Sequence, residues 1–290
     1  MYKKHIYRTW FLLPAFTVYV VLFIIPVLSG IAYSFTNWNS LNPQVRFVGL
    51  RNYGDIFNPS NSYILAIKNT LLFTVSATLG KILVGLSLAL FFNRNFRTQQ
   101  LMRGVYFMPF AISPLIIGII FSAVLAPRGI LNSFLNTIGL SSLTHGWLSN
   151  KHTALWAIVG VDLWKSVGLN MVIFLAGLQM IDSDYYEAAQ LDGANARQRF
   201  IYITWPFLRP SVVINVILNI IHGLKVFDIV MSLTNGGPGN ATQVVNTFVF
   251  KTYGMGAYGL SNALSTFIFL LTTAIALCTL KLIAPKEILK

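Results

Sequence analysis

The stretch Trp10–Phe35, WFLLPAFTVYVVLFIIPVLSGIAYSF, decides what kind of protein this is. It carries no charged side chain. A helix rising 1.5 Å per residue needs about 20 apolar residues to cross roughly 30 Å of hydrocarbon, and this run exceeds that. Lys3, Lys4 and Arg8 stand ahead of it, as they would ahead of a secretory signal. A signal core spans only about 7–15 apolar residues and ends in a small-residue cleavage site, and no Ala-x-Ala follows here. The run reads as a retained first membrane span.

Working outward, the pattern recurs at Ile64–Phe92, Val105–Ala126, Thr153–Met180, Pro210–Met231 and Ser261–Ile283. None alternates polar and apolar residues as a membrane barrel strand must. A backbone in lipid has to satisfy its own hydrogen bonds, so each run is predicted as a helix. The expected fold is all-α: a polytopic membrane protein with six transmembrane helices in one domain covering residues 1–290. The bulk composition agrees, at 55% hydrophobic and 10% charged, with a mean hydropathy of +0.66. Soluble chains carry about 25% charged residues. The net charge of +13 would suit a nucleic-acid binder, but the basic residues sit at the ends of apolar runs and form no tract. The chain has one cysteine, Cys278, read as a small buried apolar side chain, so a disulfide framework and a cysteine zinc site are excluded.

Lysine and arginine set the direction. Lys3, Lys4, Arg8, Arg94, Arg97, Arg103, Arg197, Arg199, Arg209, Lys281, Lys286 and Lys290 fall on the side of the N-terminus, against Arg46, Arg51, Arg128, Lys151 and Lys251 on the other. That excess places both termini in the cytoplasm. The outer loops, roughly 36–63, 127–152 and 232–260, are long for simple connections and hold Trp38, Trp147 and Gly236-Gly237-Pro238-Gly239.

The cytoplasmic loop at about 181–209 contains Tyr185-Tyr186-Glu187-Ala188-Ala189-Gln190-Leu191-Asp192-Gly193-Ala194 and runs on to Ile203-Thr204-Trp205-Pro206. Asp182 or Ser183 can cap a short helix with an acidic first turn, and Gly193 can end it in the left-handed conformation. The two alanines leave a bald patch beside Glu187 where another protein surface can approach closely.

Glu187-Ala188-Ala189, Gly193, Ile203 and Trp205-Pro206 resemble the EAA signature of binding-protein-dependent ABC importer permeases, with Trp205 where leucine is usual. Phe227-Asp228, Thr234-Asn235-Gly236-Gly237-Pro238, Thr242, Tyr253, Gly259 and Asn262-Ala263 are similar to the sugar-uptake branch of that family, whose members import maltose, multiple sugars or glycerol phosphate. The likeness covers about residues 60–290. It implies the type I ABC importer permease architecture in a bacterial cytoplasmic membrane, as one half of a pathway completed by a second, homologous permease. It also implies two ATP-binding subunits, which hold the ATP and magnesium, and an extracytoplasmic solute-binding protein. Glu187, Ala188, Ala189, Asp192 and Gly193 would then form the helix that seats in the ATPase. The substrate implied is a carbohydrate.

The chain shows no phosphate loop of its own. Its Gly80-Lys81 pair has Val75 at the first glycine position and Ile82 at the hydroxyl position. The histidines His5, His145, His152 and His222 are scattered and no metal-ligand spacing recurs, so a non-catalytic transport subunit with no bound cofactor or metal is expected.

Charged residues inside a membrane usually face a cavity. Asp162, Lys165, Ser166 and Leu169 share one stripe of the fourth span, with Asn170 beside them; Asn215, Asn219, His222 and Val226 share another on the fifth, with Gly223 and Lys225 alongside and Asp228 beyond. In maltose-type permeases the positions matching Asp162, Lys165, Ser166, Leu169, Asn219, Gly223 and Val226 contact the sugar, several of them as amide, glycine or aromatic residues. The acidic and basic replacements here imply a different substrate, neutral or acidic. Internal pairing of Asp162 with Lys165 and of Lys225 with Asp228 is the competing expectation. Lys68 and Lys81 read as intersubunit or snorkelling groups. A secondary transporter or channel acting without an ATPase is the alternative function, and it would need neither the docking loop nor a partner ATPase.

Overall fold

The computed structural model describes residues 9–41, 44–94 and 97–283. Lys3, Lys4, His5, Arg8, Lys286, Lys290 and both termini, on which much of the orientation argument rests, lie outside the described residues. Among the described residues five helices are long and apolar enough to cross a membrane: α1 (Trp10–Tyr33), α3 (Tyr63–Phe92), α7 (Ala154–Gln179), α9 (Ala196–Leu224) and α12 (Tyr258–Ile283). A bent pair, α4 (Gln99–Ala111) and α5 (Pro114–Val124), makes the sixth if it counts as one span. Shorter helices lie between them: α2 (Arg51–Ile56), α6 (Ile130–Thr137), α8 (Ser183–Leu191), α10 (Asp228–Thr234) and α11 (Val245–Gly254). The long loops expected on the outer side therefore hold helices of their own.

Two expected spans are corrected. The third was read as one run, Val105–Ala126, but the chain turns through 97° between α4 and α5. Ile112 and Ser113 are extended, with ψ of 139° and 135°. Pro114 imposes this by disfavouring helical ψ at the residue before it. The fifth, expected at Pro210–Met231, starts and ends earlier. Asn195 and Gln198 form a reciprocal capping box that starts the helix well before Pro206. Lys225 to Phe227 leave the helix, and Met231 belongs to α10.

Two prolines within the spans, Pro26 and Pro206, are accommodated in the same way. The α1 helix widens to a π turn at Val20–Ile24, two residues before Pro26; α9 widens at Phe200–Thr204, two residues before Pro206. A proline ring collides with the carbonyl four residues back and offers no N–H to it. In both helices that carbonyl (Leu22, Tyr202) lies at the centre of the widened turn, where the extra residue relieves the collision.

The described chain falls into two compact units. One comprises the described residues of 1–63 and 248–269. Here Asn52 donates to the carbonyls of Ser34 and Thr36 at 2.7 and 2.9 Å, and Gly259 N–H to that of Trp38 at 2.8 Å. The α1 window is 0% buried.

The other unit, residues 64–247 and 270–283 as described, has α7 at its centre, with 67% of its window buried. Two apolar clusters grip its ends. Leu155, Ile158 and Val161 pack with Phe73, Ile117 and Val230, while Met171, Phe174 and Leu178 pack with Ala89, Phe92 and Leu208. Gly168 lets α4 close on α7: a Cβ there would stand 2.1 Å from the Tyr106 carbonyl oxygen. Cys278, expected buried, is exposed on α12, where an apolar side chain meets lipid at no cost.

Candidate translocation site

Between the two apolar clusters, over one stretch of α7, the buried residues turn polar: Asp162, Lys165, Ser166 and Asn170. Facing them on α9 are Asn215 and Asn219, also buried, and His222, exposed. Two adjoining cavities follow from this band. The first, about 300 Å³, is lined by Asp162, Lys165, His222, Lys225, Val226 and Asp228, among others. The second, about 220 Å³, is lined by Lys81, Phe110, Ser166, Leu169, Asn170, Asn215 and Asn219, and it shares Lys165, Leu218 and His222 with the first. Most of the α7 and α9 residues singled out in the sequence are thus brought together. Gly223 is the exception in role: it is buried against α3, where a Cβ would come within 2.8 Å of the Thr74 Cα.

The charges pair differently from the expectation. Asp162 does not join Lys165; its Oδ2 meets Lys81 Nζ on α3 at 2.7 Å, with the two side chains 2% and 1% exposed. The snorkelling reading of Lys81 is therefore wrong. Its Cα lies eleven residues from the nearer end of α3, about 16 Å at 1.5 Å per residue, too deep to surface. His222 Nδ1 stands 3.5 Å from the same Nζ. Lys68 is exposed. Among the described residues no ion pair within 4.0 Å joins Lys165 to Asp162 or Lys225 to Asp228. Lys165 Nζ instead donates to the Phe110 carbonyl at 3.1 Å and lies 4.9 Å from the Phe110 ring centre. Lys81 and Phe110 are the site residues that sequence reasoning missed. A lysine far from either end of an apolar run was the available signal for the first; Phe110 carried none.

The amides form their own chain. Asn219 Nδ2 donates to Asn170 Oδ1 at 2.5 Å and to the Asn215 carbonyl at 2.8 Å, and Asn170 Nδ2 donates to the Ser166 carbonyl at 3.0 Å.

Away from the cavities, α8 presents the Glu-Ala-Ala segment. The Asp182 side chain caps it by accepting from Asp184 N–H at 3.2 Å. Gly193, at φ +77°, closes it: Gly193 N–H donates to the Gln190 carbonyl at 3.0 Å and Ala194 N–H to that of Ala189 at 2.9 Å. This is the Schellman arrangement. Glu187, Ala188, Asp192 and Gly193 are exposed and Ala189 half-buried. Leu191, 91% exposed, adds an apolar knob. The helix is tied to α9 by Tyr186 and Thr204, whose hydroxyls are 2.9 Å apart, and by the Tyr185 and Phe207 rings at 5.2 Å. The Gly-Gly-Pro block is structural: Thr242 bonds to Thr234 at 2.7 Å and to the Gly237 carbonyl at 2.6 Å, and Asn69 holds the carbonyls of Ala241 and Gln243 at 3.0 and 2.9 Å.

A multi-pass helical bundle with a polar band enclosed at mid-span, and an exposed helix braced on the span that lines it, defines a membrane transport component. The chain belongs to the family described as "Binding-protein-dependent transport system inner membrane component", which matches residues 81–286. The trehalose/maltose transport system permease protein MalF of Thermococcus litoralis is 35% identical over 271 residues, covering 93% of this chain and 91% of that one. The multiple sugar-binding transport system permease protein MsmF of Streptococcus mutans is 32% identical over 290 residues, with 99% of each chain covered. The fold is that of the bacterial alginate ABC transporter solved in complex with alginate pentasaccharide-bound periplasmic protein. A chain of that structure aligns with a TM-score of 0.80 at 24% identity, over 94% of this chain and 93% of its own.

Proposed function

We propose that the chain is one of two homologous permease subunits of an ATP-driven carbohydrate importer, working with two ATP-binding subunits and an extracytoplasmic binding protein. The observation that carries this reading is the polar band on α7 and α9, held at mid-span between two apolar clusters. Amides and hydroxyls there suit the hydroxyl groups of a sugar, and both curated relatives carry sugars in their names. ATP and magnesium belong to the ATPase; this chain binds no cofactor. Glu187, Ala188, Ala189, Asp192 and Gly193 seat α8 in the ATPase, and Tyr186 passes its motion to α9 through Thr204. Both termini then lie in the cytoplasm.

The charge count favours a saccharide bearing an acidic group. With Asp162 taken up by Lys81, Lys165 and Lys225 face a single carboxylate, Asp228, across the first cavity. A cation without a counter-ion in a membrane cavity is costly unless an anion visits it. The test is uptake of uronate and neutral oligosaccharides by assembled transporter carrying Lys165→Ala, Lys225→Ala or Asn219→Ala. The acidic reading expects the lysine variants to lose uronate uptake and keep any neutral uptake. Restoration of the lysine variants by Asp228→Asn would mean charge balance, and would overturn acidic recognition.

A further inference from the structure

Asn215 has no evident structural task. It is 0% exposed, and both its Oδ1 and its Nδ2 lack a hydrogen-bond partner among the described residues. An amide so placed has given up its bonds to water and received none in return, so stability alone would favour an aliphatic side chain there. Its neighbours are satisfied: Asn219 and Asn170 bond to each other, and Asn170 also to the Ser166 carbonyl. What remains unmet is one donor and one acceptor on the wall of the 220 Å³ cavity.

We propose that Asn215 is a recognition residue for a vicinal diol of the transported saccharide. An amide offers an acceptor and a donor side by side in one plane. Two adjacent ring hydroxyls offer the complementary pair, one donating to Oδ1 and its neighbour accepting from Nδ2. A carboxylate fits worse, because it would use Nδ2 and set its second oxygen against Oδ1. The acidic group of a substrate belongs with Lys165 and Lys225 in the first cavity, and its diol face with Asn215 in the second. The side chain is closed over here, so the diol reaches it when α7 and α9 stand further apart. Asn215 lies one turn from Asn219 toward the N-terminal end of α9, so it contacts the sugar beyond the residues that the resemblance assigned. The inference rests on the saccharide-import reading.

The experiment uses the complete transporter in proteoliposomes, on a Cys278→Ser background, with radiolabelled maltose, trehalose, a trigalacturonate and a trimannuronate as probes. For whichever probe the unaltered chain imports, Asn215→Leu should raise KM roughly thirtyfold, the factor of two lost hydrogen bonds of ordinary strength. Its thermal midpoint should be no lower than that of the parent. In parallel, Asn215→Cys should react with a small methanethiosulfonate reagent during turnover and be protected by that probe. An unchanged KM, absence of labelling in every state, or a fallen midpoint that accompanies the lost uptake would each overturn the proposal. If the parent imports none of the probes, the carbohydrate reading fails instead, and the labelling alone still decides whether Asn215 faces a solute path.

Discussion

Lys81→Met removes one half of a buried ion pair and leaves the other half in place. At the observed 2.7 Å, and with an effective dielectric of about 20, the attraction between Lys81 and Asp162 amounts to about 6 kcal/mol. The desolvation of both ions offsets most of it, since each is almost wholly withdrawn from solvent, and the pair as a whole contributes little net stability. A partner left alone is another matter: it keeps its desolvation penalty and loses the attraction. Lys81→Met and Asp162→Leu should therefore each destabilise the protein by about 3–5 kcal/mol. The double variant should lose far less than the sum, because no charge is then stranded. The assay is chemical unfolding in lipid-detergent micelles, followed by tryptophan fluorescence and arranged as a double-mutant cycle. Single losses below about 1 kcal/mol, or a double loss equal to the sum, would refute the claim that Lys81 and Asp162 form a buried ion pair.

Gly168→Ala should destabilise by about 1–3 kcal/mol, read in the same unfolding assay, because its Cβ would meet the Tyr106 carbonyl at 2.1 Å and α4 must retreat. Glu187→Lys should leave folding and membrane insertion intact yet abolish substrate-stimulated ATP hydrolysis by the assembled transporter, by reversing the charge on the exposed surface proposed to seat in the ATPase. Gly193→Asp should act likewise, and its left-handed φ of +77° adds about 1 kcal/mol of local strain. The purified chain alone should hydrolyse no ATP once contaminating ATPases are removed, since Val75 and Ile82 stand where a phosphate loop needs glycine and a hydroxyl.

What was legible in the sequence was whatever local physics imposes. The bilayer sets a length for every apolar run, so four spans were found to within a few residues from hydropathy alone. The α8 helix was legible because its cap and its stop, Asp182 and Gly193, act within a few residues of one another. The bend between α4 and α5 was missed although Pro109 and Pro114 were in plain view: apolar content is blind to backbone direction, and Ile112 and Ser113 are as hydrophobic on average as the turns around them. The start of α9 was missed because Arg197, Gln198 and Arg199 are polar, while the Asn195–Gln198 capping box that launches the helix lies outside the apolar run. The structure brings the α7 stripe together with Asn215, Asn219 and His222 of α9, while Val226 lies beyond the end of that helix. The pairing of the charges was not legible, because Lys81 belongs to another span, and a partner brought in by tertiary packing leaves no mark near Asp162. The unmet amide of Asn215 was likewise invisible, since it depends on where Asn219 and Asn170 turn.

The central claim is that this chain forms part of a solute pathway driven by ATP through α8. Proteoliposomes holding the complete transporter, with binding protein and radiolabelled saccharide probes outside and ATP inside, test it most directly when the ATP-binding subunits are omitted in a parallel preparation. Uptake that requires both internal ATP and the ATP-binding subunits, and that Glu187→Lys abolishes, is the expected result. Uptake that persists without those subunits, driven by a proton or sodium gradient, would contradict the account and make the chain a self-sufficient carrier.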